Sequence, residues 1–174
     1  MKKMLAIATL AVLASCNTSK GVASTNWLGK TVTMKSTCPE NGTCTATRDI
    51  GKGLSLGQPD ELYPQIVDNE KTVLIQYEYN RKKAENATYA DDFHKEELFL
   101  EIPAEAFKKE YKNEALQQVK LVFGRHCYCK GSAGYFKITE GTLKIDHSEK
   151  QTKVKLTFKA PVQQLIETVE FTVD

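Results

Sequence analysis

The chemistry available to this chain concentrates in its five cysteines and three histidines. Cys127 and Cys129 flank Tyr128 directly after His126, and Cys38 and Cys44 enclose Pro-Glu-Asn-Gly-Thr. Thiols so spaced can close disulfides, hold a soft metal as thiolates, or cycle between oxidised and reduced forms. The histidines add little to a catalytic reading. His94, His126 and His147 fit no His-Glu-x-x-His spacing, and no phosphate-cradling glycine loop occurs. Glu96 and Glu97 are adjacent, so on a strand they point to opposite faces and cannot act together as a glycosidase pair. Asp91 and Asp92, with those glutamates, lack the ligand order of a calcium loop and read as a solvated charged segment. His147, in a turn before Ser148, reads as a solvated turn residue. The expectation is a protein that is not an enzyme.

Cys16 stands apart from the other four. It closes Leu13-Ala14-Ser15-Cys16, which follows Met1-Lys2-Lys3 and an apolar run from Met4 to Leu13. That run is too short for a bilayer-spanning helix, which needs ~20 residues. A basic start, a greasy stretch and small residues before the cysteine are an export pattern, to be set aside from the fold. The stretch resembles the lipobox of bacterial lipoproteins over residues 1–16. The resemblance implies a signal peptide over 1–15 and acylation of Cys16, palmitate included, as the mature N-terminus. Asn17 is not the aspartate of the inner-membrane retention signal, so the expected address is the cell envelope, at the outer membrane of a Gram-negative bacterium. The membrane is then a partner through the lipid on Cys16. Residues 16–26 are small and polar enough for a flexible tether, and a single domain is expected over 27–174.

Export changes the odds for the remaining cysteines. Four thiols in an oxidising compartment predict two disulfides among Cys38, Cys44, Cys127 and Cys129. If 119–129 is one extended strand, Cys127 and Cys129 lie about 6.6–6.8 Å apart, at the limit of what a disulfide spans. The spacing therefore favours cross-links between the Cys38–Cys44 loop and the Cys127–Cys129 segment, each worth on the order of 4 kcal/mol by loop closure. Pairing within each segment is the alternative and stabilises less. A second function follows from the same residues: His126, Cys127, Cys129, Cys38 and Cys44 would make a zinc or copper site, and the protein a metal-binding envelope lipoprotein. No cofactor is expected on the disulfide reading.

Charge narrows the partners. The chain has 24 basic and 22 acidic residues, and Lys2 and Lys3 belong to the signal, so the remainder is formally neutral. Nucleic acid, which needs a basic stripe, is not an expected partner, and composition gives no reason to expect an anionic lipid surface. Tyr77, Tyr79, Tyr128 and Tyr135 could supply a contact surface for an envelope protein or a glycan, or simply pack. The expected function is a non-catalytic binding or interaction module.

The elements that must position these residues are mostly strands. Period-two alternation runs through Val73–Tyr79, Leu98–Ile102, Val119–Phe123, Phe136–Ile138, Leu143–Ile145, Val154–Phe158 and Val169–Val173, with a first strand near Thr31–Thr37. Phe107, Tyr111 and Ala115, following Pro103, predict one short connecting helix over about 104–118. Residues 45–70, rich in glycine and proline, read as long loops with one strand around Leu54–Leu56, and residues 80–96 as a long polar connection. The fold class is all-β, an antiparallel sandwich or barrel of seven to nine strands. Trp27-Leu28-Gly29 resembles the N-terminal tryptophan motif of lipocalin-like barrels, which would imply a closed barrel with an interior cavity.

Overall fold

The computed structural model describes residues 23–27, 30–34, 38–58, 61–83 and 93–174, the first two segments by their backbone. The half-apolar strands resolve their exposed backbone groups by pairing into two antiparallel sheets, and bury their apolar sides by facing one another. Eleven strands occur among the described residues: β1 (Ala23–Trp27), β2 (Lys30–Met34), β3 (Gly42–Gln58), β4 (Glu61–Arg81), β5 (His94–Pro103), β6 (Phe107–Lys112), β7 (Val122–Cys127), β8 (Gly134–Lys137), β9 (Gly141–His147), β10 (Thr152–Phe158) and β11 (Thr168–Val173). One sheet runs β1-β2-β11-β10-β9-β6 and the other β3-β4-β5-β7-β8. The fold is a sandwich; the two sheets do not close into the lipocalin-like barrel.

The alternating residues meet where period two predicts. Val154, Leu156 and Phe158 of β10 and Val169, Phe171 and Val173 of β11 lie inside, while Lys153, Lys155 and Thr157 point out. From the opposite sheet Val73, Ile75, Tyr77 and Tyr79 of β4 and Leu98, Leu100 and Ile102 of β5 complete the core. Tyr77 stacks on Phe171 at 5.6 Å and Phe123 meets Phe158 at 5.7 Å, so aromatic pairs bridge the sheets. Each such buried side chain contributes roughly 1.5–3 kcal/mol. Tyr77 and Tyr79 are therefore core residues and no part of a contact surface.

Buried polar groups tie the layers together. Glu96, with no exposed surface, accepts hydrogen bonds from Leu165 N and Ile166 N at 2.9 Å and from His94 Nε2 at 3.0 Å. Arg48 Nη2 donates to Ser148 O and Glu149 O at 2.9 Å, across to the β9–β10 turn. Such groups survive burial because their hydrogen bonds are made.

Several local expectations give way. The segment read as a helix over about 104–118 is strand β6 followed by a 3-10 helix, Asn113–Val119. Phe107 and Tyr111 sit four apart, a spacing that satisfies both periods, and the ladder to β9 from Phe107–His147 to Lys112–Thr142 decides for strand. Asn113, at φ 49°, then breaks the extended run. The strand around Leu54–Leu56 is present, but the rest of 45–70 is not loop either: it is most of a long β3–β4 hairpin. Its glycines mark bulges: Gly51 (φ 75°) and Gly57 (φ 72°) fall at the two breaks in register, where a left-handed residue is needed. Of the polar stretch 80–96, both ends are strand, and 84–92 lies outside the described residues. Between the runs Phe136–Ile138 and Leu143–Ile145 the chain crosses from one sheet to the other, at Glu140-Gly141. Val119 closes the 3-10 helix, and the strand there begins only at Val122. At the N-terminal side, β1 begins at Ala23, within the stretch read as tether.

Candidate functional site

The cysteines pair within their own segments. Cys38 bonds to Cys44 and Cys127 to Cys129, with Cα separations of 5.7 and 5.2 Å. This corrects the expected cross-links, and topology explains why. Cys44 lies on β3 and Cys127 on β7, three strand spacings apart in one sheet, or roughly 14 Å. The chain also leaves the extended form at Cys127 and turns, with Ser132 N donating to Cys129 O and Gly131 at φ 78°. That turn brings the two Cα atoms closer than a straight strand allows. Both pairs being oxidised, these four residues offer no thiolate to zinc or copper, and the pairs stand too far apart to share one ion. His126 does not join them: its ring faces Glu97 on the outer side of the sheet. Cys16 lies outside the described residues.

What the fold does assemble is a polar and aromatic cluster on the outer face of the five-stranded sheet. Glu97, on the side of β5 opposite Glu96, sits at its centre. His126 Nε2 donates to Glu97 Oε1 at 2.6 Å, Tyr135 Oη donates to the same oxygen at 3.0 Å, and Lys95 Nζ donates to Oε2 at 2.8 Å. Lys95 also reaches Glu78 Oε2 at 3.3 Å, and Asn80 Nδ2 donates to Glu78 Oε1 at 2.6 Å. Cross-strand register makes this possible: Glu97 lies beside Gly124, which lies beside Tyr135. A Cβ at position 124 would press into the Tyr135 ring and Glu97 Cγ, so glycine leaves the space in which the tyrosine reaches the carboxylate.

The electrostatics follow from these contacts. Burial pushes the Glu97 carboxyl up, but hydrogen bonds from His126 and Lys95 outweigh it and hold the group down at about 2. Burial, then the Glu97 charge, raises the Tyr135 phenol, so it is a standing donor. Lys95 is opposed by burial and raised overall by Glu97 and Glu78. The cluster thus carries fixed charge at neutral pH, with donors and acceptors held in place.

Aromatic rings border it. Tyr135 packs against His126 at 5.3 Å, Phe99 at 6.3 Å and Tyr63 at 5.7 Å, the last edge-on. Tyr63 belongs to the β3–β4 hairpin, whose distal part folds over this face as an arm. Leu54 of the arm is buried against Leu74 and Phe99, Leu54 N donates to Glu101 Oε2 at 2.5 Å, and Lys120 Nζ donates to Leu54 O at 2.7 Å. The arm leaves Tyr63, Ile66 and Val67 exposed, and Tyr128, in the β7–β8 connection, is 72% exposed. Of the four tyrosines offered above as contact residues, Tyr128 and Tyr135 fall here. Tyr63, Glu97 and Lys95 carry no motif and become visible only through register and the folding back of the arm.

The other histidines are structural. His147 is 2% exposed and not a solvated turn residue. Its Nε2 faces Ala104 O at 3.3 Å and so carries the proton, leaving Nδ1 to accept from Thr152 Oγ1 at 2.7 Å. Burial, with a contribution from Arg48, lowers its pKa. His94 is buried against Glu96. Comparison with family models, with curated proteins and with solved structures finds no match to this chain.

Proposed function

We propose that this chain is a lipid-anchored cell-envelope lipoprotein whose disulfide-bonded domain acts by binding, through the outer face of its five-stranded sheet. The anchoring rests on the lipobox at Leu13–Cys16. The binding reading rests on one observation above all: the arm and the β7–β8 connection carry exposed apolar side chains, and one of these, Tyr63, packs on Tyr135 of a polar cluster whose groups hold one another in place. Exposed apolar groups beside ordered polar ones are what a recognition surface requires. The Glu97 oxygens are taken up by three donors, an arrangement suited to fixed recognition geometry and poorly suited to proton transfer at neutral pH. The partner class is an envelope protein or a glycan.

Two measurements test this reading. Radiolabelled palmitate should enter the wild-type chain in cells and should not enter Cys16→Ser. Binding of the purified protein to isolated envelope material should fall at least tenfold in Tyr63→Ala/Tyr128→Ala, with the circular-dichroism spectrum unchanged. Unlabelled wild type contradicts the anchoring, and undiminished binding by the double variant contradicts the assignment of the face.

A further inference from the structure

The chain's formal neutrality conceals a division of charge between the two sheets. On the outer face of the six-stranded sheet stand Lys108, Lys112, Lys144, Lys153 and Lys155. Three carboxylates share that face, Glu110, Asp146 and Glu170, each ion-paired to one or two of the lysines. The paired lysines keep 59–79% of their side-chain surface exposed, the carboxylates only 34–46%. The acidic groups therefore lie low among the strands while the ammonium groups stand above them. Across the molecule the outer face of the other sheet is reversed, with Asp49, Glu78, Glu97 and Glu101 against Lys95, Lys120 and Lys137.

Register adds a second observation. Lys144 and Lys155 are directly opposite on β9 and β10, with Glu110 beyond the one and Glu170 beyond the other. Like charges facing across a ladder disfavour the pairing. An anion seated between the two ammonium groups would relieve that repulsion. Lys153 adds a third cation one row away, opposite Asp146, and makes no ion pair with any described residue. These residues line an open groove of about 470 Å³ on the sheet surface.

The third observation is where the chain leads. β1 forms the edge of this same sheet, and Ala23, its first residue, follows Cys16 by seven positions. Seven residues reach at most ~25 Å. β10 lies three strand spacings from β1, roughly 14 Å. A lipid on Cys16 therefore holds the lysine face within reach of the headgroups beside its own acyl chains.

We infer that the outer face of the six-stranded sheet docks on the anionic headgroup surface of the membrane into which the N-terminal lipid inserts, with phosphates seated among Lys144, Lys153 and Lys155. Docking turns the arm and the Tyr135 cluster away from the bilayer. It adds an electrostatic contact with the headgroups to the acyl anchor. The inference rests on the lipidation in the proposed function, and the test separates the two.

The lipidated protein is reconstituted into phosphatidylcholine vesicles with or without phosphatidylglycerol, and lysine acetylation rates are read by mass spectrometry. Flotation with neutral vesicles reports the lipid, and acetylation reports the docking. Lys144, Lys153 and Lys155 should react at least ~fivefold more slowly on anionic vesicles, with Lys52 on the arm unchanged. Molar salt should erase the difference. In Lys144→Glu/Lys153→Glu flotation should persist while Lys108 and Lys155 lose their protection. Equal rates on both vesicles overturn the inference, as does equal slowing of Lys52. Protection by a soluble polyphosphate but not by vesicles also overturns it, in favour of an anionic polymer. A chain that fails to float contradicts the lipidation alone. The same acetylation comparison is then made with the chain held on nickel-chelating lipid by an N-terminal hexahistidine, where equal rates again overturn the docking.

Discussion

Tyr63 meets Tyr135 edge-on with ring centroids 5.7 Å apart, and through this contact the β3–β4 arm closes onto the sheet beside Glu97. The arm is an extension of two ordinary strands, so what holds it down is local: this ring pair, Leu54 in its apolar seat, and the Lys120–Glu101 pair beneath. Removing the ring at Tyr63 should cost about 0.5–1.5 kcal/mol. Amide exchange in residues 51–71 should quicken in Tyr63→Ala while the β9–β11 core keeps its protection. Uniform quickening across both sheets would show that the arm is not a separable unit.

Glu97 should govern stability in acid. Its carboxyl is held at about 2 in the folded protein against an ordinary value of 4.5. A depressed carboxyl stabilises the fold fully above the unfolded value, and this is lost as pH falls from about 4.5 through about 2. The difference is on the order of 3 kcal/mol. Urea denaturation across that window should show the loss in wild type and a much flatter profile in Glu97→Gln.

His147 acts in a different window. Burial keeps its ring neutral, so the unfolded state takes up a proton first as pH drops below about 6.5. Stability should begin to decline there, ahead of the Glu97 transition. Substitution of His147 by glutamine should remove the upper step and leave the lower one. A pH profile flat from 7 down to 5 in wild type would contradict the burial.

The disulfides should matter less than long cross-links would. Each closes a loop of a few residues, and loop-closure entropy then gives roughly 2 kcal/mol per bond. Cys127→Ser/Cys129→Ser should fold and lose about that much in Cm-derived stability. Non-reducing peptide mapping should find each bond within one segment; a peptide joining the two segments would contradict the pairing.

Gly141 should be the least replaceable turn residue. It sits at φ 147°, and a Cβ would strike Thr157 O and Phe158 where the chain crosses between sheets. Gly141→Ala should cost about 2 kcal/mol or more, seen as a lowered Tm.

The all-β class and most of the core are legible in the sequence because period two is enforced by burial on one face: Leu98, Val154 and Phe171 each fall inside as their alternation demands. Long-range relations are not. A glycine at a bulge and a glycine in a loop look alike in sequence, so Gly51 and Gly57 conceal the arm that carries Tyr63. Phe107 and Tyr111 fit two periods, and only the β9 ladder separates them. The centre of the site is hidden for a related reason. Glu97, His126 and Tyr135 are distant in the chain and meet only because β5, β7 and β8 are neighbours in register. The cysteine pairing is hidden too, since a straight strand to residue 129 ends instead at Cys127, where the chain turns.

Binding of the lipidated protein to isolated envelope material, with the two faces altered in turn, measures the central claim most directly. Tyr63→Ala/Tyr128→Ala should bind at least tenfold more weakly than wild type, while Lys144→Glu/Lys153→Glu in a neutral bilayer should bind as wild type does. Full binding by the tyrosine variant, with binding lost in the lysine variant, would contradict the account.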